Sequence, residues 1–150
     1  MARPKSYREL IVWQKAMALA RQVYAMSGGM PKTEAYGLMA QIRRAAVSVP
    51  SNIAEGHGRL TDLQFRHFLG NARGSLYELQ TQIELAADLS YLNKEQMQKL
   101  MEQGSEVARL INGLLTSLGR SGSAREVNAN TANTANSANS ANSANKGNQQ

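Results

Sequence analysis

A chain of 150 residues is long enough for one domain with a sizeable core, and it contains no cysteine. Disulfides, thiolate metal sites and thiol nucleophiles are therefore excluded together. The net charge of +6 suits phosphate backbones, acidic proteins or anionic membranes as partners. The opening MARPKSYRELIVWQ meets charged residues before any apolar run develops, so it reads as neither a signal peptide nor a membrane span. A cytoplasmic protein is the expectation.

In chain order, the spacing predicts a first helix from about Tyr7 to Met26. Leu10, Trp13, Met17, Ala20 and Tyr24 form its apolar stripe. Gly28 and Gly29 should end it in a left-handed turn. Met30-Pro31 makes an extended connection, and Thr33 is placed to cap the next helix, with Glu34 in its first turn. That second helix carries Leu38, Ile42, Ala45, Ala46, Val49 and Ile53 on one face, and the face keeps its phase across Pro50. A proline inside a helix costs roughly 3 kcal/mol. A preserved apolar face through that defect predicts a helix kinked at Pro50 that does not stop there. Arg43 and Arg44 lie opposite most of the stripe. Ser48, Ser51, Asn52 and Glu55 gather polar groups around the proline, where side chains can bond the carbonyl it frees. Gly56-His57-Gly58 closes the element.

Thr61 and Gln64 have capping-box spacing and open a third helix that runs to about Ser90 through Phe65, Leu69, Leu76, Leu79 and Ile83. Gly74 within it permits a close approach by a neighbour. Asn93 and Gln96 repeat the capping-box spacing and open a fourth helix, which should stop at Gly119. No segment has the alternation of a strand. The expected architecture is all-α, an antiparallel up-down-up-down four-helix bundle over residues 1–120. From 121 to 150 a Ser/Thr-Ala-Asn repeat with little charge and no large apolar cluster replaces the pattern. Such a segment buries too little surface to offset its ordering entropy, so a disordered tail is expected.

Candidate chemistry is sparse. His57 and His67 lack carboxylates or thiols at ligand spacing, so no metal site is expected. Gly56-His57-Gly58 follows no strand and lacks the third glycine of a phosphate loop. The arginine-to-histidine spacing of small helical ribonucleases is not met, and Ser48, Ser51 and Ser75 have no local base. No catalytic residue and no cofactor are assigned. The arginines are more informative. Arg66 and Arg73 lie seven apart on one face of the third helix, while Arg43, Arg44 and Arg59 lie on or just after the second. If those helices are neighbours, the five arginines can form one positive field for phosphates. A solvated set pairing with Glu78, Glu84 and Asp88 is equally easy to build. Trp13 falls on an apolar stripe, which favours core or subunit-interface packing over base stacking.

Several stretches in order carry a family resemblance: Leu10-x-x-Trp13-Gln14; Glu34-x-Tyr36-Gly37-Leu38-x-x-Gln41-Ile42-Arg43-Arg44-Ala45-Ala46; Ser48-Val49-Pro50-x-Asn52-Ile53-Ala54-Glu55-Gly56; and Gly74-Ser75-Leu76-x-Glu78-Leu79. From about Tyr7 to Leu118 the chain resembles the bacterial four-helix-bundle proteins encoded within intervening sequences of 23S ribosomal RNA genes. The resemblance implies a bundle that assembles into a ring-like homopentamer. It also implies kinship with the accessory variability proteins of diversity-generating retroelements, basic bundles that bind a reverse transcriptase and nucleic acid. Nothing in the family requires an enzyme. By the motif match, Trp13, Gln41, Pro50, Asn52, Glu55 and Glu78 are family-motif or interface positions. The combined expectation is a non-enzymatic, basic homo-oligomer that binds nucleic acid, namely structured RNA. The alternatives are an adaptor docking a polymerase, and a ring whose Arg–Glu pairs only lock subunits.

Overall fold

A computed structural model describes the backbone of residues 3–144 and the side chains of residues 3–121. Four α-helices follow one another: α1 (Ile11–Ser27), α2 (Leu38–His57), α3 (Asp62–Asp88) and α4 (Lys94–Ala144), with short 3-10 turns at Tyr7–Glu9 and Lys32–Glu34. Among the described residues there is no strand. Helix α1 packs on α2 and α4, α2 on α3, and α3 on α4, while the diagonals α1–α3 and α2–α4 do not approach. Four helices in that cyclic order, joined by short connections, form an antiparallel bundle. Its centre is aliphatic: Leu19, Ile53, Leu69, Leu76, Leu79, Ile83, Leu100 and Ile111 are fully buried. Each contributes roughly 1.5–3 kcal/mol by leaving water.

The ends of the elements show which local signals decide. Thr61 accepts from the Gln64 amide at 3.2 Å and caps α3. Asn93 and Gln96 form the complete reciprocal box, at 2.8 Å and 3.0 Å, that opens α4. Thr33, by contrast, sits in a 3-10 turn and caps nothing. Glu34 does that work instead, its Oε2 accepting from the Leu38 amide at 2.8 Å. A Cβ on Gly37 would meet that same oxygen at 2.6 Å, so only glycine leaves the carboxylate its place. The other Glu34 oxygen accepts from the Tyr91 hydroxyl at 3.3 Å, tying the α1–α2 connection to the α3–α4 turn. Burial and then the Glu34 charge push the Tyr91 phenol above its ordinary pKa.

Four further expectations are corrected. The first helix begins at Ile11, because Leu10 is extended (φ −71°, ψ 121°) and leaves Tyr7–Glu9 as a separate turn. Gly28 ends it in right-handed geometry (φ −61°), and the one positive φ among the described residues belongs to Ser90, at 61°. Gly74 is exposed with nothing within 4 Å of a notional Cβ, so it admits no close neighbour. The close approach occurs at Gly56, where a Cβ would meet Phe68 Cβ at 2.6 Å and Phe65 Cδ2 at 2.9 Å. Finally, α4 does not stop at Gly119. A lone glycine costs a helix only about 1 kcal/mol, no proline follows, and the element is Lys94–Ala144. The disorder expected of the tail falls where side chains, and past 144 the backbone, lie outside the described residues.

Helix α2 runs through Pro50 without a break. The carbonyl deprived of its partner is that of Ala46, four residues back. The polar side chains bond the next two carbonyls instead: Ser51 Oγ donates to Val47 at 2.8 Å, and Asn52 Nδ2 to Ser48 at 2.8 Å.

Candidate functional site

Two surface concavities lie on opposite seams of the bundle. The larger, about 1080 Å³, opens between the first half of α3 and α4. Arg59, Arg66, Arg73 and Arg120 line it together with Leu63, Phe68 and Leu115, and no carboxylate is among its lining residues. The helical repeat explains the gathering. Arg66 and Arg73 are two turns apart on α3, about 10 Å along the axis, and both face α4. Arg66 Nη1 donates to the Leu115 carbonyl at 3.3 Å and Arg73 Nη1 to Asn112 Oδ1 at 3.0 Å. Both acceptors are neutral, so the two guanidinium charges are held in place without being cancelled. Gly119 has a role here that helix termination hid: a Cβ at that position would collide with the Arg66 guanidinium lying across α4.

Arg59 comes from the α2–α3 turn. Its guanidinium lies 4.6 Å from the centre of the Phe68 ring and pairs with Glu55 at 2.6 Å. The turn is fastened by a residue that sequence patterns do not single out. Arg3 donates to the carbonyls of His57 (3.3 Å) and Arg59 (2.6 Å), pairs with Asp62 at 2.8 Å, and lies over Phe65. A cation on the last carbonyls of a helix is favourable, but the sequence separation leaves no periodic signal. His57 Nε2 bonds the Pro4 carbonyl at 2.7 Å, and His67 meets the Phe68 ring edge-on.

The remaining predicted residues lie elsewhere. Arg43 reaches α1, where its Nε donates to the buried Ser27 Oγ at 2.8 Å and its guanidinium lies 4.8 Å from the Tyr24 ring centre. Arg44 is exposed on α2 and does not line the groove. Asn52 also bonds Ser48 Oγ at 3.0 Å, and Ser48 Oγ shares a 2.8 Å hydrogen bond with Ser75 Oγ. The polar positions of α2 are thus tied to α3 through a serine pair that local spacing cannot bring together. Glu78 accepts from Gln82 at 3.1 Å; Gln41 and Glu55 are exposed. None of Glu78, Glu84 and Asp88 is ion-paired among the described residues, whose pairs are Arg3–Asp62, Lys15–Glu106 and Arg59–Glu55.

The second concavity, about 490 Å³, follows the α1–α2 seam and is mostly apolar: Trp13, Met17, Tyr24, Val47, Pro50 and Ala54 line it, with Arg21 as its charged member. Trp13 is half-buried with its ring edge-on to Tyr7 at 5.2 Å, while Tyr24 and Val47 remain exposed. Among the described residues no group of His, Asp and Glu could hold a metal ion. No helix there is long and apolar enough to cross a membrane.

No curated protein matches the chain. A solved structure from Bacteroides thetaiotaomicron, described as a protein of unknown function from the S23 ribosomal protein family, has a similar fold. Its TM-score is 0.66 at 20% identity, and the match covers 70% of this chain and 98% of that one. At that identity the likeness concerns the fold. The family model described as 23S rRNA-intervening sequence protein matches residues 8–113, from the first 3-10 turn into α4. This chain therefore belongs to the 23S rRNA-intervening sequence protein family.

Proposed function

We propose that this protein is a non-enzymatic RNA-binding bundle whose α3–α4 groove engages the phosphate backbone. The observation that carries the reading is the lining of that groove: four arginines in one concavity, of which Arg59 alone is ion-paired among the described residues. Two of them are fixed by neutral acceptors. Guanidinium groups so held match phosphate oxygens bidentately, and less side-chain freedom is lost on binding than from a mobile lysine. A family whose description refers to a 23S rRNA intervening sequence makes RNA the first nucleic acid to test. Filter binding across a salt series provides that test. Affinity should fall steeply as salt rises, and Arg66→Ala with Arg73→Ala should weaken it while leaving the helical circular dichroism intact. Affinity missing at low salt, or indifferent to salt, defeats the reading. A protein partner such as a reverse transcriptase that is captured equally after nuclease treatment would replace RNA as the ligand.

Self-association is proposed as well, on a separate observation. The α1–α2 trough leaves Trp13, Tyr24 and Val47 partly open to water beside Pro50. The family resemblance implies a ring of five copies. Sedimentation of the full chain measures the number. Val47→Glu, which places a charge in the trough, should shift the protein toward monomer; an unchanged sedimentation coefficient puts the contact elsewhere.

A further inference from the structure

We infer that the α3–α4 groove takes a single-stranded RNA segment, with one unpaired base stacking on the outer face of the Arg59 guanidinium. This rests on the RNA-binding reading above and specifies the class of RNA.

Three features of the groove favour a single strand over a duplex. The first is the setting of its charge. Arg66 and Arg73 are half-buried along one seam, each held against α4. A flexible strand can follow that seam with successive phosphates, whereas a duplex is a wide, stiff cylinder with its phosphates at fixed spacing. The second is apolar surface within a basic lining. Phe68 and Leu115 are half-buried in the trough, and Leu63 stands 77% exposed at its edge. Paired bases keep their faces stacked inside a duplex and show only their edges to these side chains. An unpaired base brings an apolar face to them.

The third feature is Arg59 itself. Its Cζ lies over the Phe68 ring, 4.6 Å from the centroid, and Glu55 holds the guanidinium at 2.6 Å. Phe68 is in turn braced edge-on by His67 at 5.5 Å. The result is a planar, oriented cation on an aromatic support, with side-chain exposure of 43% leaving it open to solvent. Bases stack on guanidinium planes as they do on aromatic rings. A base laid on Arg59 would complete a layered base–Arg59–Phe68 arrangement, while the adjoining phosphates reach Arg66, Arg73 and Arg120.

The test compares three probes on the full chain and on Arg59→Lys: a short unstructured oligoribonucleotide, its fully paired duplex, and inorganic polyphosphate. Lysine keeps the charge and can still meet Glu55, but it removes the plane. The wild type should bind the single strand more tightly than the duplex. Arg59→Lys should weaken single-strand binding by about tenfold, within the range of losses found for one stacked base. Polyphosphate binding should hold within twofold. A fluorescent adenine analogue in the strand should be quenched on binding to the wild type and recover in Arg59→Lys. Equal or tighter duplex binding overturns the inference and leaves the RNA reading standing. So does an equal loss for polyphosphate, or no effect of Arg59→Lys on the strand. If the wild type binds none of the three probes, the RNA reading itself falls.

Discussion

Ser90 holds φ at 61° in the turn after α3. Its amide bonds the Ala87 carbonyl at 2.9 Å, and the Tyr91 amide bonds Ala86 at 2.8 Å, which together make a Schellman end. That position favours glycine, because a Cβ in the left-handed region costs about 1 kcal/mol. Ser90→Gly should therefore stabilise the bundle by several tenths of a kcal/mol to about 1 kcal/mol, read as a higher denaturant midpoint. Two interior glycines should respond in opposite directions to alanine. Gly74→Ala meets nothing and gains helix propensity, so it should stabilise by up to about 1 kcal/mol. Gly56→Ala drives a methyl into Phe68 Cβ and the Phe65 ring, and overpacking of that kind costs about 1–3 kcal/mol. Urea melts of the pair decide it, since equal signs would mean that α2 and α3 can separate without penalty.

At the scale of elements, the seam between α2 and α3 carries the polar contacts that periodicity leaves out. Ser48 on α2 faces Ser75 on α3, and Asn52 closes the group. A double-mutant cycle on Ser48→Ala and Ser75→Ala should give a coupling of about 0.5–1.5 kcal/mol, the net worth of one such hydrogen bond. Additive losses would mean that water replaces the contact. The helices themselves were legible because an apolar stripe repeats every three or four residues, and that spacing depends only on the chain. Pro50 did not obscure α2, since Val49 and Ile53 stay buried on either side of it. Caps were legible where both members lie three residues apart, as in Asn93 and Gln96. They were not legible where the acceptor arrives from a separate turn, as Glu34 does. The arginine groove was half legible. Heptad spacing puts Arg66 and Arg73 on one face, but only packing reveals that α4 brings Arg120 beside them. Arg43 reads in sequence like Arg44, yet it ends on Ser27 and Tyr24 of α1, where a cation near the helix C-terminus is favoured.

For the molecule as a whole, the cyclic order of the helices sets the α1–α2 seam opposite the α3–α4 seam. The apolar trough and the arginine groove thus face away from each other, and copies joined through the first would leave the second open outward. Both seams carry cations, Arg21 in the trough and four arginines in the groove, but their surroundings differ. Arg43 is spent on α1, whereas Arg66 and Arg73 meet only neutral acceptors. The two proposed activities should then separate by mutation. Val47→Glu should alter sedimentation while keeping the salt dependence of RNA binding per chain, and Arg66→Ala with Arg73→Ala should do the reverse. The salt dependence also has an expected size. If Arg66, Arg73 and Arg120 each displace one counterion from a single strand, log affinity should fall with log salt at a slope of about −2 per binding site, because each contact on single-stranded nucleic acid contributes roughly −0.7. Removing two of the three should bring the slope to about −0.7. A slope that stays near −2 in the double variant would mean that phosphates are held by arginines outside the groove, with exposed Arg44 the next to replace.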